Sequence, residues 1–196
     1  MKKYLEASEF IDWNNPQIFD TAKELARNLS NQEDIAKCCF EFVRDKIKHS
    51  WDYQLNPVTC KASDVLEHKT GYCFAKSHLL AALLRANEIP AALCYQRLTF
   101  TDGKPPYSLH GFNAIFLPKF GWYRVDPRGN KKDVDAQFSP PQEKLAFKVL
   151  YKGEIDFPQR FSKPLNAIVQ SLTENSSIQA VANNLPDTKD LSKYSM

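Results

Sequence analysis

Three residues of this chain have the types that covalent acyl-group chemistry requires: Cys73, His110 and Asp126. In such chemistry a thiolate attacks an acyl carbon, an imidazole transfers the proton, and a carboxylate orients the imidazole. Cys73 opens the most apolar helical stretch of the chain, residues 73–86, so its sulfur is predicted at a helix N-terminus. Unpaired N–H groups and the helix dipole there favour a thiolate, which predicts that Cys73 is a nucleophile.

The positions of His110 and Asp126 place both residues in one predicted hairpin, whose strands cover residues 109–117 and 122–125. A hairpin centred on residue 118 pairs the two directly, and one centred on 119 makes them diagonal neighbours on the same face. The Cβ atoms are then about 4.5–5.5 Å or about 7–8 Å apart, which allows a histidine–carboxylate hydrogen bond. A register slip of one residue would send the two side chains to opposite faces.

Helices are expected before this hairpin and at the end of the chain, with strands between them. Capping residues, prolines and apolar spacing predict helices at residues 16–29, 33–47, 63–68, 73–87, 164–172 and 177–183. Ser30 to Glu33 form a capping box for the second of these, and residues 51–59 are expected to be extended or irregular. A further strand is predicted at residues 91–100. Helices first and an antiparallel sheet afterwards predict the α+β class.

Composition limits the function classes. The chain has 196 residues, a net charge of +3, 43% hydrophobic and 25% charged residues, which predicts one globular domain. Its basic residues are scattered apart from Lys131 and Lys132, so the sequence predicts neither a nucleic-acid partner nor a membrane partner. No apolar run approaches the roughly 18 residues of a membrane span. Glu6 and Glu9 interrupt any signal-peptide pattern, and we expect a cytoplasmic protein.

The five cysteines do not form a framework. Their number is odd, they include no C-x-x-C pair, and no two histidines have ligand spacing. The sequence therefore predicts no disulfide framework, no metal site and no cofactor. Cys38, Cys39 and Cys94 are expected to be small buried hydrophobic residues, and Cys60 is undetermined.

Three segments resemble the transglutaminase-like superfamily. They are the cysteine segment Gly71–Ala86 with the following Ile89-Pro90-Ala91, the histidine segment Leu109–Ala114, and the tryptophan-to-aspartate segment Gly121–Pro127. The resemblance covers about residues 65–129. It implies a bacterial-type, single-domain member with a papain-like core, in which a cysteine-bearing helix packs on an antiparallel sheet.

The same resemblance implies the roles of three residues. Cys73 would be the nucleophile, His110 the general base and then acid, and Asp126 the group that orients the imidazole. Gly111-Phe112 departs from the alanine-tryptophan that commonly follows the family's histidine. The chain is also too short for the extra β-domains of many animal members and has no acid-rich calcium loop.

The sequence divides into three predicted parts of one domain: an N-terminal helical part (1–62), a catalytic core (63–130), and a C-terminal extension with a helix and a polar tail (131–196). Lys76 is expected on a solvated helix face. His78 lies about 140° around the helix from Cys73 and is expected to face away from the site.

Three functions remain open at this point. The favoured one is hydrolysis of a peptide, protein or small amide substrate through an acyl-enzyme, since water is the default acceptor. The second is acyl transfer to an amine, of the transglutaminase or arylamine-acetyltransferase type. The third is a catalytically silent scaffold. Either enzyme needs oxyanion donors, for which we consider the Cys73 backbone N–H with Gln96 or Trp51. The substrate, the pathway and the oligomeric state are not predicted.

Overall fold

The computed structural model describes residues 1–194, in which most of the helices precede a run of consecutive strands and the remaining helices follow it. The helices are α1 (Pro16–Leu25), α2 (Gln32–Lys46), α3 (Ser50–Tyr53), α4 (Ala62–His68), α5 (Cys73–Ala86), α6 (Asn166–Thr173) and α7 (Ile178–Asn183). The strands are β1 (Lys48–His49), β2 (Thr70–Gly71), β3 (Ala91–Thr101), β4 (Lys104–Leu117), β5 (Gly121–Val125), β6 (Gln137–Ser139), β7 (Gln142–Lys144) and β8 (Ile155–Asp156).

Helix α5 is the centre of the core, and every side chain from Cys73 to Ala86 is buried. A helix that is apolar on all sides must be enclosed on all sides. Helices α1, α2 and α4 and strands β3 and β4 all pack against α5.

The main sheet has the strand order β5-β4-β3-β8, and all of its pairings are antiparallel. One face of this sheet meets α5, where the Asn113 side-chain amide donates to the Ser77 carbonyl at 3.0 Å. The opposite face carries a second, small apolar cluster around Cys94 and Phe112, which Tyr4 and Trp122 cover. This helix-and-antiparallel-sheet arrangement is the predicted α+β class.

Several element boundaries differ from the sequence prediction. Helix α1 ends at Leu25, four residues early, and the residues after it form turns that include a left-handed Asn28 (φ 99°). The N-cap of α2 is Asn31 and not Ser30, since the Asn31 side-chain oxygen accepts the Asp34 N–H at 2.8 Å. The predicted irregular stretch 51–59 begins inside a short helix, α3.

The β4–β5 hairpin has the register on which the site depends. Asn113 lies opposite Val125, and Leu117 lies opposite Gly121, so the hairpin centres on Lys119. This register is the second of the two that keep His110 and Asp126 on one face, as diagonal neighbours.

Candidate active site

Cys73 is the first residue of α5, and its side chain is 7% exposed. The preceding N-cap residue, Tyr72, makes no side-chain capping bond to the first turn of the helix. The N–H groups of that turn therefore remain available to a negative charge at or beside the sulfur. Tyr72 itself is anchored by its hydroxyl, which donates to the Ile178 carbonyl at 2.7 Å.

His110 and Asp126 form a buried pair. The Nε2 atom of His110 lies 2.7 Å from Oδ2 of Asp126, whose side chain is fully buried. The carboxylate also accepts the backbone N–H groups of Arg128 at 3.1 Å and Ala146 at 3.2 Å. Burial opposes the ionised carboxyl, but His110 and these N–H donors outweigh it and lower the pKa of Asp126.

The other nitrogen of His110, Nδ1, is left for the sulfur, because Nε2 faces Asp126. Cys73 and His110 line the same cavity, close enough for the sulfur to affect the ionisation of the imidazole. Burial by itself would lower the pKa of His110, but the charges of Asp126 and then of Cys73 raise it well above its ordinary value of 6.5. The imidazole is therefore held in its protonated form next to the sulfur.

Two aromatic rings fix the plane of the imidazole. Phe112 stacks against His110 with ring centroids 6.2 Å apart, and Phe147 meets it edge-on at 5.0 Å. Phe112 comes from the same strand, two residues on, as strand alternation requires. Phe147 comes from an irregular segment far along the chain, and no pattern in the sequence predicted this contact.

Cys73 and His110 open into a cavity of about 610 Å³. Most of its wall is apolar or aromatic, and its lining comes from α3, α5, β3, β4, α7 and the segments that follow β5. The residues on this wall include Trp51, Tyr72, Leu98, Phe100, Pro106, Leu109, Phe147 and Leu185. A mostly apolar cleft with a few convergent polar groups is typical of a substrate site.

The two predicted oxyanion donors have different places. Trp51 lines the cavity with Cys73 and His110, and it is 42% exposed. Gln96 lies directly opposite His110 in the β3–β4 ladder and is 2% exposed, but it does not line the cavity. Its side-chain oxygen is buried without a hydrogen-bond partner among the described residues.

A charged cluster that the sequence did not predict lies on the same wall. Asp52 accepts two hydrogen bonds from Arg128, at 2.7 and 3.0 Å, and one from Lys131 at 2.7 Å. Burial opposes the ionised carboxyl, but these bonds hold the pKa of Asp52 at about 2. His49 lies 3.6 Å from the same carboxylate, and burial keeps the pKa of His49 well below its usual range.

The expectation for Lys76 is wrong. Its side chain is fully buried, and its ammonium donates to the backbone carbonyls of Ile47 and, at 3.4 Å, of Arg44. Burial, with Arg128 next in importance, lowers the pKa of Lys76 to about 7. Position 76 lies on a helix that is enclosed on every side, and a local periodicity argument cannot detect that.

The remaining histidine and cysteine candidates lie outside the cavity. His78 is buried and its Nδ1 lies 2.8 Å from the Cys60 carbonyl oxygen, in the core. Burial raises the pKa of the Cys39, Cys60 and Cys94 thiols to about 12, whereas Cys38 is only half-buried. Within residues 1–194, no three histidine, cysteine or acidic side chains cluster as metal ligands would.

More than half of the chain, residues 20–127, matches the model of the transglutaminase-like superfamily. The chain belongs to this superfamily. The matched segment contains Cys73, His110 and Asp126. No curated protein matches the chain in sequence.

Solved structures with the same fold include a candidate cysteine protease from Cytophaga hutchinsonii, with 18% identity and a TM-score of 0.51. That alignment covers 64% of this chain and 40% of the other. The periplasmic domain of TgpA from Pseudomonas aeruginosa is 20% identical, with a TM-score of 0.47 and coverages of 63% and 45%. This superfamily member therefore spans less than half of either structure, and the likeness to the first of them, with its TM-score of 0.51, shows that they share the α+β fold.

Across residues 1–194, none of the helices combines the length and the apolar character that crossing a membrane requires.

Proposed function

We propose that the chain is a cysteine-dependent enzyme that hydrolyses peptide or other amide bonds through an acyl-enzyme on Cys73. The observation that carries this proposal is that Cys73 and His110 line one cleft while His110 bonds to the buried Asp126 at 2.7 Å. The superfamily to which the chain belongs adds support, because one solved structure of this fold is described as a candidate cysteine protease.

In the proposed cycle, the Cys73 thiolate attacks the carbonyl carbon and forms a sulfur–carbon bond. His110 then gives its proton to the departing nitrogen as the carbon–nitrogen bond breaks. A water molecule next loses a proton to His110 and attacks the thioester, which releases the acid and restores the thiolate. Asp126 orients the imidazole throughout and compensates its positive charge.

The oxyanion of each tetrahedral intermediate needs N–H donors, and removal of one donor typically costs about 2.7–4 kcal/mol. We propose the Cys73 backbone N–H and the indole of Trp51, since Trp51 lines the same cavity as the sulfur. Gln96 is the less supported alternative, because it lies beside His110 but outside the cavity wall.

Hydrolysis is favoured over transfer because the cleft is open to water at its rim. Trp51 is 42% exposed and Phe100 is 60% exposed, although both line the cavity. A thioester on Cys73 would therefore meet water before a bound amine.

We retain the cytoplasmic location as a prediction, which fractionation of cells that express the tagged chain would test.

The test compares the wild type with Cys73→Ala and with Cys38→Ala, which removes a half-buried thiol outside the cleft. Denatured casein is the substrate, with and without a fluorescent primary amine. We expect new amino termini or released ammonia with the wild type and Cys38→Ala, none with Cys73→Ala, and a melting temperature that is unchanged. Amine incorporation in place of hydrolysis would favour transfer.

Iodoacetamide labelling gives a readout that needs no substrate. Peptide mapping should find Cys73 modified far faster than Cys38 near neutral pH, because a protonated imidazole accompanies the sulfur. Equal rates at the two cysteines, together with full turnover in Cys73→Ala, would contradict the proposal.

A further inference from the structure

One end of the cleft carries an excess of positive charge. Apart from the Cys73–His110 pair, the described residues on the wall of this cavity include one carboxylate, Asp52, and two cations, Arg128 and Lys131. Arg128 takes both oxygens of Asp52, and its side chain is only 8% exposed. Lys131 bonds to the same carboxylate but is 47% exposed, so its ammonium still faces the solvent side of the cleft.

This charge excess continues into a neighbouring cavity of about 300 Å³, which shares His49, Asp52 and Lys131 with the cleft. Two more cations line that second cavity, Arg44 and Lys48, and one more carboxylate, Asp45. Arg44 and Asp45 pair with each other at 2.7 and 2.8 Å. Along the two cavities, four cations therefore face two carboxylates.

The other charges near the sulfur do not cancel this excess locally. The Asp126 carboxylate lies behind His110, is fully buried, and is bound by three N–H donors, so it is not presented to the cleft. His49 is buried beside Arg128 and stays neutral at physiological pH. The opposite wall, from β3 and β4, contributes Leu98, Phe100 and Pro106, which carry no charge.

We propose that the end of the cleft formed by Asp52, Arg128 and Lys131 is an anion subsite. The acyl substrate lies with one side of its reacting bond over Lys131, and that side carries a carboxylate. This inference rests on the proposed function, because it concerns the substrate of the same thiol. The substrate class is an acidic peptide, whose carboxylate belongs either to a glutamate or aspartate side chain or to a chain terminus. Carboxylates pair well with a fixed guanidinium and a mobile ammonium.

The test uses alkylating probes that share one reactive group and differ only in charge. N-iodoacetyl-glutamate α-amide and N-iodoacetyl-glutamine α-amide compare a side-chain carboxylate with its neutral isostere. N-iodoacetyl-glycine and N-iodoacetyl-glycinamide make the same comparison for a terminal carboxylate. Each probe alkylates a thiolate by forming a sulfur–carbon bond and releasing iodide, and mass spectrometry gives the rate at Cys73.

We expect the wild type to react faster with a charged probe than with its neutral partner. Lys131→Glu should reduce this rate ratio by roughly fivefold or more at low salt, and salt should weaken the effect. Lys131→Gln should give an intermediate ratio. Lys132→Glu is the matched control, because Lys132 is the adjacent exposed lysine and does not line either cavity. It should leave the ratio close to that of the wild type.

The outcomes separate the two proposals. A preference for the glutamate probe identifies a side-chain carboxylate, and a preference for the glycine probe identifies a chain terminus. Equal ratios in the wild type and Lys131→Glu, or an equal loss in Lys132→Glu, would overturn the anion subsite while leaving the nucleophile intact. Failure of every probe to modify Cys73 faster than Cys38 would instead overturn the proposed function. Melting temperatures of the three variants exclude unfolding as the cause.

Discussion

Replacing Asp126 by asparagine tests the electrostatic basis of the site with almost no change of shape. Both carboxylate oxygens accept N–H groups: Oδ1 from Arg128, and Oδ2 from Ala146 and His110. An asparagine amide can present only one acceptor oxygen, so in either orientation its NH₂ group faces a buried N–H donor. The variant therefore loses the negative charge and also leaves at least one buried donor unpaired.

The loss of charge is the larger effect on His110. For charge centres about 4 Å apart and an effective dielectric constant of about 20, the interaction is worth about 4 kcal/mol. That energy corresponds to about three pKa units. The pKa of His110, which Asp126 helps to raise to about 10, should therefore fall to about 7 in Asp126→Asn, so that the ring has lost about half of its proton at pH 7.

The direction of the pH effect follows from the raised pKa. In the wild type, the proton on His110 contributes stability that is complete below pH 6.5 and is lost as pH rises through the folded-state pKa. Protonation of the leaving group needs the same proton, so the alkaline limb of kcat/KM should lie above pH 6.5. In Asp126→Asn this limb should move to lower pH, and kcat/KM at pH 7 should fall by roughly 100-fold or more.

The assays are the pH profile of iodoacetamide labelling at Cys73 and the pH profile of amide hydrolysis, both with melting temperatures. Asp135→Asn serves as the matched control, because Asp135 is an exposed aspartate that bonds to Lys144. A wild-type pH profile in Asp126→Asn would refute the coupling between the carboxylate and the imidazole. A change of equal size in Asp135→Asn would show that overall charge, and not the buried pair, sets the profile.

Two further predictions concern stability. Lys76 has a pKa of about 7 in the folded chain, whereas its ordinary value, which applies to the unfolded chain, is 10.5. Between these two pH values the unfolded chain therefore binds more protons than the folded chain. The free energy of unfolding in urea, measured for the wild type relative to Lys76→Met, should therefore rise between pH 7 and 10.5. A difference between the two proteins that does not change with pH would contradict burial of the charge. Gly111→Ala should destabilise by about 1–3 kcal/mol, because its Cβ would lie 2.6 Å from the Phe74 ring. The double variant Gly111→Ala/Phe74→Leu should recover part of that loss, and no recovery would exclude the steric cause.

Local sequence patterns predicted the parts of the structure that depend on neighbouring residues. The apolar run predicted the start of α5 at Cys73, where the structure has it. The hairpin argument placed His110 and Asp126 on one face, because the turn that sets their register lies only a few residues from each. Both arguments use geometry that is complete within about twenty residues.

The rest of the cleft depends on contacts that no local pattern contains. Asp52 and Arg128 are 76 positions apart, and their pairing depends on how α3 packs beside the segment after β5. Phe147 contacts His110 from an irregular loop, and α7 adds Ala182 and Asn183 to the cavity wall. Such positions follow from the tertiary packing of the whole chain. The periodicity of a single sequence predicts helices and strands, but it does not predict these long-range contacts.

Gly111 links the packing of the core to the geometry of the site. A Cβ atom at this position would also lie 3.3 Å from the Phe74 Cα, so the β4 backbone runs close against the first turn of α5. Cys73 and His110 are the immediate chain neighbours of Phe74 and Gly111. A larger residue at position 111 would therefore press the β4 backbone away from the first turn of α5, and so act on the separation of the imidazole from the sulfur as well as on packing.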